Sequence, residues 1–363
     1  MCSTSEALDR ESCMEISLFE ATPSTYNLKI KERIPDPQRC VKKYRRSAAG
    51  GGVRTFKNET PRTENQLYTT VQYLTSLLSS PRTSCSSKTQ NYISDRFRAI
   101  SVDIVQSRLE GRDCLRVMAK FGVFGSYVFG ELESGKFEGR FNMGALQSCL
   151  SMLREVLGED DGVLSLTGLL HFTGVVSGME GLGLDGGEGL GGLCGLVPEG
   201  GLEEGKYEKL KFVFDLSEAW STGNYHKLLT LLTTLPPTSP HTYLTRFITS
   251  RALPQIRFII LQNLNKSLGK GEKVLKKELA RLLFFKEEDA AVRFAGEYGV
   301  MVMEGGEGVV MKLQSVEEIN LEFKRDDDFV FGELKNDIIN GPDEDNVMTL
   351  KPQFIDWLLY DDS

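Results

Sequence analysis

The chain has 363 residues, of which 40% are hydrophobic and 26% charged, and a formal net charge of -8. That length and balance exclude a peptide or a disulfide miniprotein and fit a globular chain that buries a sizeable core. No run of 18 apolar residues occurs, and Met1 to Arg10 has neither the apolar stretch of a signal peptide nor an Arg-rich amphipathic leader, so a soluble intracellular chain is expected.

The seven cysteines are spread out, form no CxxC pair and have three histidines for company. Reduced thiols are expected, with no disulfide framework, no metal site and no cofactor. The net charge hides segregation along the chain. Residues 326–363 carry 11 acidic groups against 2 basic ones, whereas Arg39 to Lys57 contains seven basic residues and no acid. Such a basic run suits a nucleic-acid contact or a nuclear-import signal, or a solvated basic loop beside an acidic partner.

In chain order, residues 1–60 contain Pro23, Pro35, Pro37 and Gly50-Gly51-Gly52, with little helical periodicity after Phe19, which predicts an extended strap. Thr63 is a candidate N-cap for a helix whose Leu67, Val71, Leu74 and Leu78 recur at spacings of four, three and four. Tyr92 to Leu109 puts Ile93, Phe97, Ile100 and Ile104 on one face, with Arg96 and Asp103 beside it as candidates for a half-buried bridge to a neighbouring helix. Asn142 is placed as the cap of a helix carrying Leu146, Leu150, Leu153 and Leu157 up to Gly158. Short helices follow at 217–221, 225–235, 243–253 and 255–268, separated by Gly223-Asn224, Pro236-Pro237 and Pro254. Successive helices joined by short turns predict an α-solenoid.

Between these halves, Gly174 to Gly205 holds 13 Gly in 32 residues without a regular apolar face, which predicts a disordered insertion. Further on, Val274 to Leu283 and Glu287 to Tyr298 read as two helices, and the β-branched runs Val300 to Met303 and Val309 to Leu313 around a Gly-rich turn read as a hairpin. Two helices followed by a hairpin predict a winged helix. The expected organisation is therefore an extended basic strap (1–60), a helical-repeat domain (61–265) with its insertion at about 174–205, a winged-helix domain (266–325) and an acidic tail (326–363).

The search for catalytic chemistry returns little. Gly130 to Lys136 fits the first seven positions of a P-loop, but Phe137 stands where the magnesium-binding Ser or Thr is required. His171 lies in an apolar stretch, which is the setting of a satisfied core histidine. The runs Glu159-Asp160-Asp161 and Asp326-Asp327-Asp328 splay their carboxylates and read as solvated loops. No GxSxG, HExxH or spaced carboxylate pair is present, so an enzyme is not expected.

Four collinear stretches resemble the Sac-three/GANP family (germinal-centre-associated nuclear protein). Val41-Lys42-Lys43-Tyr44-Arg45-Arg46-Ser47-Ala48-Ala49-Gly50 is similar to the family's VKxYxRSAAG element, preceded by Leu18-Phe19-Glu20. Asp95 to Gln106 is similar to DRxRxIRQDLxxQ, with Ser101 at a usual Arg position. Gly223-Asn224-Tyr225 resembles a GNY helix start, and Leu282 to Val300 resembles the family's LxFxxxEEA segment. The resemblance spans roughly residues 1 to 315, and what remains of an upstream cysteine element is Met1-Cys2. The chain reads as a short, stand-alone member.

The resemblance implies a mainly α fold, a PCI-like solenoid of helical hairpins ending in a winged helix. It also implies a nuclear, non-catalytic scaffold subunit of an mRNA-export complex, at the nucleoplasm or the nuclear pore. Its implied partners are a PCI-type protein, a small acidic subunit and RNA or single-stranded DNA, with no membrane and no small-molecule substrate. On this chain Lys42, Lys43, Arg45 and Arg46 are the candidates for phosphate contact, with Lys273, Lys276 and Lys277 as weaker ones. The other motif positions, Tyr44, Ser47, Asp95, Arg96, Arg98, Asp103, Gln106, Asn224 and Tyr225, are read as structural or partner-facing. A second expectation is a centrosome- or spindle-associated scaffold that binds no nucleic acid. At the strap the alternative is structural, with Tyr44 and Ala48-Ala49 packed onto the solenoid and the basic residues at its rim.

Overall fold

Local capping sets where the helices begin. In the computed structural model α1 spans Thr4–Ser12, capped by Ser3, and α2 spans Glu64–Ser76, where Thr63 and Gln66 form a reciprocal capping box. Helix α3 is Ser87–Ser107, capped by Ser86, and α4 is Arg112–Leu132. The α3–α4 turn passes through Gly111 at φ +60°, where a Cβ would lie 2.7 Å from Ile104, so a side chain there would be both strained and crowded. Helix α5 is Gly139–Leu157. The structure describes residues 1–45, 61–80, 86–132, 139–177, 189–203, 205–234, 244–245, 248, 252–268, 273–285, 287–298, 301–302, 308–310, 339–340 and 349–350.

These residues divide into two compact units, Met1–Gly158 with Asp337–Ser363, and Glu159–Asn336. The division falls inside the stretch 61–265 that the sequence suggests is one helical domain. The chain is mainly helical, with consecutive helices packed on one another, consistent with an α-solenoid.

In the first unit α2, α3 and α4 pack together and α5 packs on α3 and α4, burying Leu67, Val71, Leu74, Ile93, Phe97, Ile100 and Ile104 as their spacing predicts. Asn142 is not a cap. Helix α5 starts three residues earlier, and the buried Asn142 amide donates to the Gly122 carbonyl at 2.7 Å and to Ser126 Oγ at 2.6 Å, tying α5 to α4. Residues 1–45 of the expected strap are packed rather than extended, while 46–60 lie outside the described residues: besides α1 there is a 3-10 turn at Ile30–Glu32, and Ile16, Phe19, Ala21, Cys40 and Val41 are buried. Two short strands, β4 (Ile339–Asn340) and β5 (Thr349–Leu350), pair antiparallel within the region expected to be a tail.

In the second unit α6 (Asp161–Ser177) packs on α7 (Glu208–Ser221), and α7 packs on α8 (Tyr225–Thr233). The expected disordered insertion is ordered at both ends. Helix α6 runs through Gly174, and a 3-10 stretch at Gly189–Leu196 buries Leu193 and Leu196 beside Gly168, where a Cβ would come within 3.2 Å of Leu196. The middle of the insertion lies outside the described residues. The run Glu159-Asp160-Asp161 is not a solvated loop either: Asp160 accepts from the Val163 amide at 3.0 Å, and Asp161 accepts from the Lys209 and Leu210 amides at 3.1 and 2.8 Å, satisfying free N–H groups at two helix starts.

Helix α9 is Leu253–Ser267, with Pro254 inside its first turn rather than separating two helices, because a first-turn position needs no amide donor. Lys273–Leu275 is a strand, β1, not the start of a helix. It is followed by α10 (Lys276–Leu283), α11 (Glu288–Glu297), β2 (Met301–Val302) and β3 (Gly308–Val310), forming an antiparallel sheet in the order β1-β3-β2. The fully buried Arg257 of α9 donates from Nε to the Leu283 carbonyl at 2.8 Å and from Nη2 to the Phe284 carbonyl at 3.0 Å. Its guanidinium also stacks 3.6 Å from the Phe285 ring centroid, so one side chain fixes the C-terminus of α10 to α9. Arg257→Ala is expected to destabilise the chain by about 2–4 kcal/mol, because the buried Leu283 carbonyl and the partly buried Phe284 carbonyl lose their donor, and urea unfolding measures it.

Candidate functional site

Helix α1 delivers Arg10, the following turn delivers Glu20, and the central turns of α3 deliver Tyr92, Asp95 and Arg96. Glu20 is fully buried, yet each of its oxygens receives two donors. Oε1 accepts from Arg96 Nη2 at 3.1 Å and from the Val41 amide at 3.2 Å. Oε2 accepts from Arg10 Nη2 and from the Ser17 amide at 3.3 Å. Arg10 spends Nη1 on the Val41 carbonyl at 3.0 Å. Burial by itself would lower the pKa of the Arg10 guanidinium, but the hydrogen bond and charge of Glu20 raise it above the usual range; Arg96 is likewise lowered by burial but raised on balance by Glu20.

Phe19, next to Glu20, packs on Tyr92 with ring centroids 4.6 Å apart, and Arg96 lies 4.6 Å from the Tyr92 ring centroid. Burial pushes the Tyr92 phenol well above its ordinary pKa. The Phe19-Glu20 element, Val41 and the Asp95-Arg96 element thus meet at one buried point, although the sequence separates them widely. An anchor of this kind holds chain segments together. Arg96 and Asp103 are buried rather than half-buried, and in place of a neighbouring helix they meet the chain outside the helices: Arg96 pairs with Glu20, and Asp103 with Lys42 and Arg62.

Val41 continues directly into the basic residues, and space supplies the acids that the local sequence lacks. Lys42 Nζ is 2.8 Å from Asp103 Oδ1, Lys43 Nζ is 3.1 Å from Glu15 Oε2, and Arg45 Nη2 is 3.0 Å from Asp9 Oδ2. The Lys43 amide donates to the buried Glu6 at 2.9 Å, and the Tyr44 amide to Asp95 at 3.4 Å. Residues 41–45 are therefore laid across α1 and α3 with their basic side chains half-exposed at the rim. Arg46 and Ser47 lie outside the described residues.

The remaining motif positions separate into several places. Tyr44 and Arg98 line an open, mostly apolar groove of about 390 Å3 with Phe97 and Phe141, and Arg98 lies 5.5 Å from the Phe141 ring centroid. Gln106 is exposed at the end of α3 and lines a polar cleft with Lys42 and Asp103. In the second unit Asn224 caps α8, accepting from the Lys227 amide at 3.0 Å, and Tyr225 packs edge-on to Trp220, so the GNY element builds the α7–α8 turn. Lys273 lies in β1, Lys276 is half-buried and Lys277 exposed at the start of α10; these belong to the other unit from Lys42, Lys43 and Arg45.

Sequence reasoning did not single out Arg10, Glu6 or Arg62, since a lone charged residue in a polar stretch carries no sign of burial. Among the described residues no group of three His, Cys, Asp or Glu side chains is placed to hold a metal ion, and no helix is long and apolar enough to cross a membrane. The sequence model of the SAC3/GANP family matches residues 1–163 and 204–304, well over half of the chain. No curated protein matches it. Glu20→Gln is expected to cost about 3–5 kcal/mol, because the buried Arg10 loses its paired carboxylate and Arg96 loses one of its two, and denaturant unfolding of the full chain reads this loss directly.

Proposed function

This chain belongs to the SAC3/GANP family, which is associated with nuclear mRNA export, and we propose that it is a non-catalytic scaffold subunit of an export complex. The carrying observation is the convergence of three of the family's separated stretches, Phe19-Glu20, Val41 and Asp95-Arg96, on the Glu20 anchor, which spends their charged groups on holding the chain. A scaffold needs a fixed surface, and the anchor fixes the basic segment and the apolar groove beside it.

The finer reading takes β1, α10, α11 and the β2–β3 hairpin as a winged helix. Two helices between β1 and β2, and a sheet ordered β1-β3-β2, support it. In this reading the solenoid and winged helix pair with a PCI-type protein and a small acidic subunit in the nucleus. The basic segment supplies nucleic-acid contact: the pairs Lys43–Glu15 and Arg45–Asp9 are partly exposed, and exposed pairs contribute only about 0–1 kcal/mol, so a phosphate displaces the carboxylates at little cost. A second reading, a centrosomal or spindle scaffold that binds no nucleic acid, draws support from the same pairs, since Lys42, Lys43 and Arg45 each already hold a carboxylate.

A salt titration of single-stranded RNA binding separates the two. Affinity should fall steeply with salt, and replacing Lys42, Lys43, Arg45 and Arg46 with Ala should weaken binding at least tenfold and flatten the log–log salt slope by about 0.7 for each phosphate no longer neutralised. Equal inertness of wild type and variant would favour the scaffold without nucleic acid.

A further inference from the structure

Arg62 is the outlier among the buried cations. Its side chain is 10% exposed, and Nε donates to Asp103 Oδ2 at 2.6 Å. Nη1 and Nη2 are buried without a hydrogen-bond partner, in contrast to Arg10 and Arg96, both of whose Nη atoms are engaged. Leaving two donors of a buried guanidinium unmade is costly, and unpaired donors beside a cleft suit an acceptor that arrives from outside.

Arg62 lines a polar cleft of about 660 Å3 between α2 and the end of α3, together with Lys42, Asn65, Thr69, Asp103 and Gln106. The charged groups lining it, among the described residues, are Lys42, Arg62, Asp103 and the Met1 amine, so cationic groups outnumber the one carboxylate. Asp103 is itself occupied by both cations, with Oδ1 taken by Lys42 and Oδ2 by Arg62, so its charge is neutralised before a ligand arrives.

We propose that this cleft binds a phosphodiester of single-stranded RNA, with Arg62 Nη1 and Nη2 donating to two phosphate oxygens. A guanidinium fork matches two oxygens on one centre, which a point-like ammonium does not. The neutral amides of Asn65 and Gln106 and the Thr69 hydroxyl suit the sugar and the remaining phosphate oxygens, and the cleft is far larger than one phosphate group needs. Lys42 belongs both to the cleft and to the basic segment, so a strand crossing that segment reaches Arg62 without a break. The inference rests on the RNA part of the proposed function and assigns it a specific, buried contact.

The test uses the full chain and two probes, inorganic phosphate and a short labelled oligouridylate. Arg62→Lys keeps the charge and the reach to Asp103 but removes the fork, and Gln106→Ala trims the exposed rim. Phosphate at matched ionic strength should raise the melting temperature of wild type but not of Arg62→Lys. Oligonucleotide affinity should drop about tenfold in Arg62→Lys and about twofold in Gln106→Ala. Photocrosslinking of the oligonucleotide to wild type should label peptides spanning residues 61–66 and 103–107, which decides the matter even if Arg62→Lys folds poorly. Oligonucleotide binding that depends on Lys43 and Arg45 but is unchanged in Arg62→Lys would overturn this site while leaving the export reading intact. Phosphate stabilisation through Arg62 without any oligonucleotide binding would overturn the phosphodiester assignment and the RNA part of that reading together.

Discussion

Removing a carboxylate from water costs several kcal/mol unless its lone pairs are refilled inside the protein, and the first unit is arranged around meeting that demand for Glu20. Two arginines and two backbone amides converge on its oxygens from four places in the chain. Each donor fixes a different element: Arg10 fixes α1, Ser17 the following turn, Val41 the start of the basic segment and Arg96 the middle of α3. The reverse dependence is as strong, because Arg10 and Arg96 are themselves buried and tolerable only with a counter-charge. The N-terminal region thus folds onto the helices through polar satisfaction as much as through the apolar contacts of Ile16, Phe19 and Val41.

This anchor determines what the basic segment presents. Because Val41 is held by both its amide and its carbonyl, Lys42, Lys43 and Arg45 emerge from a fixed point and find carboxylates on α1, the turn after it and α3. A basic stretch held in register with its own acids is a different object from a free tail. Its field is partly cancelled at a distance, and a polyanion must exchange with carboxylates one by one. That geometry favours contacts at defined positions over diffuse attraction, and it places Lys42 in the same cleft as the unpaired, buried donors of Arg62.

Helical faces were legible in the sequence because apolar spacing is local. Leu67, Val71 and Leu74, or Ile93, Phe97 and Ile100, declare their helix within three turns, and Thr63 declares its start. Pairings of charge were not legible, since Arg96 meets Glu20 across 76 residues and Lys42 meets Asp103 across 61. Nothing at Arg39 to Lys57 foretells the acids it meets. Short-range polar chemistry misled for the opposite reason: Asn142 resembles a cap by residue type but cross-links two helices, and Glu159-Asp160-Asp161 resembles a solvated loop but satisfies amides at the starts of α6 and α7. The family motifs mark the anchor better than composition does, because they include Phe19-Glu20, Val41 and Asp95-Arg96 as separate stretches whose junction only the fold displays.

The central claim is that residues 41–45 are docked through Glu20 rather than free. Amide hydrogen exchange on the intact chain tests it most directly, by following the amides of Val41, Lys43 and Tyr44 alongside those in the middle of α3. Protection at Val41 and Lys43 that approaches that of α3, and that vanishes there first when Glu20 is replaced by Gln, is the predicted result. Exchange at the rate of an unstructured peptide in the wild-type chain would contradict the account, since a segment held by a buried carboxylate cannot open that freely.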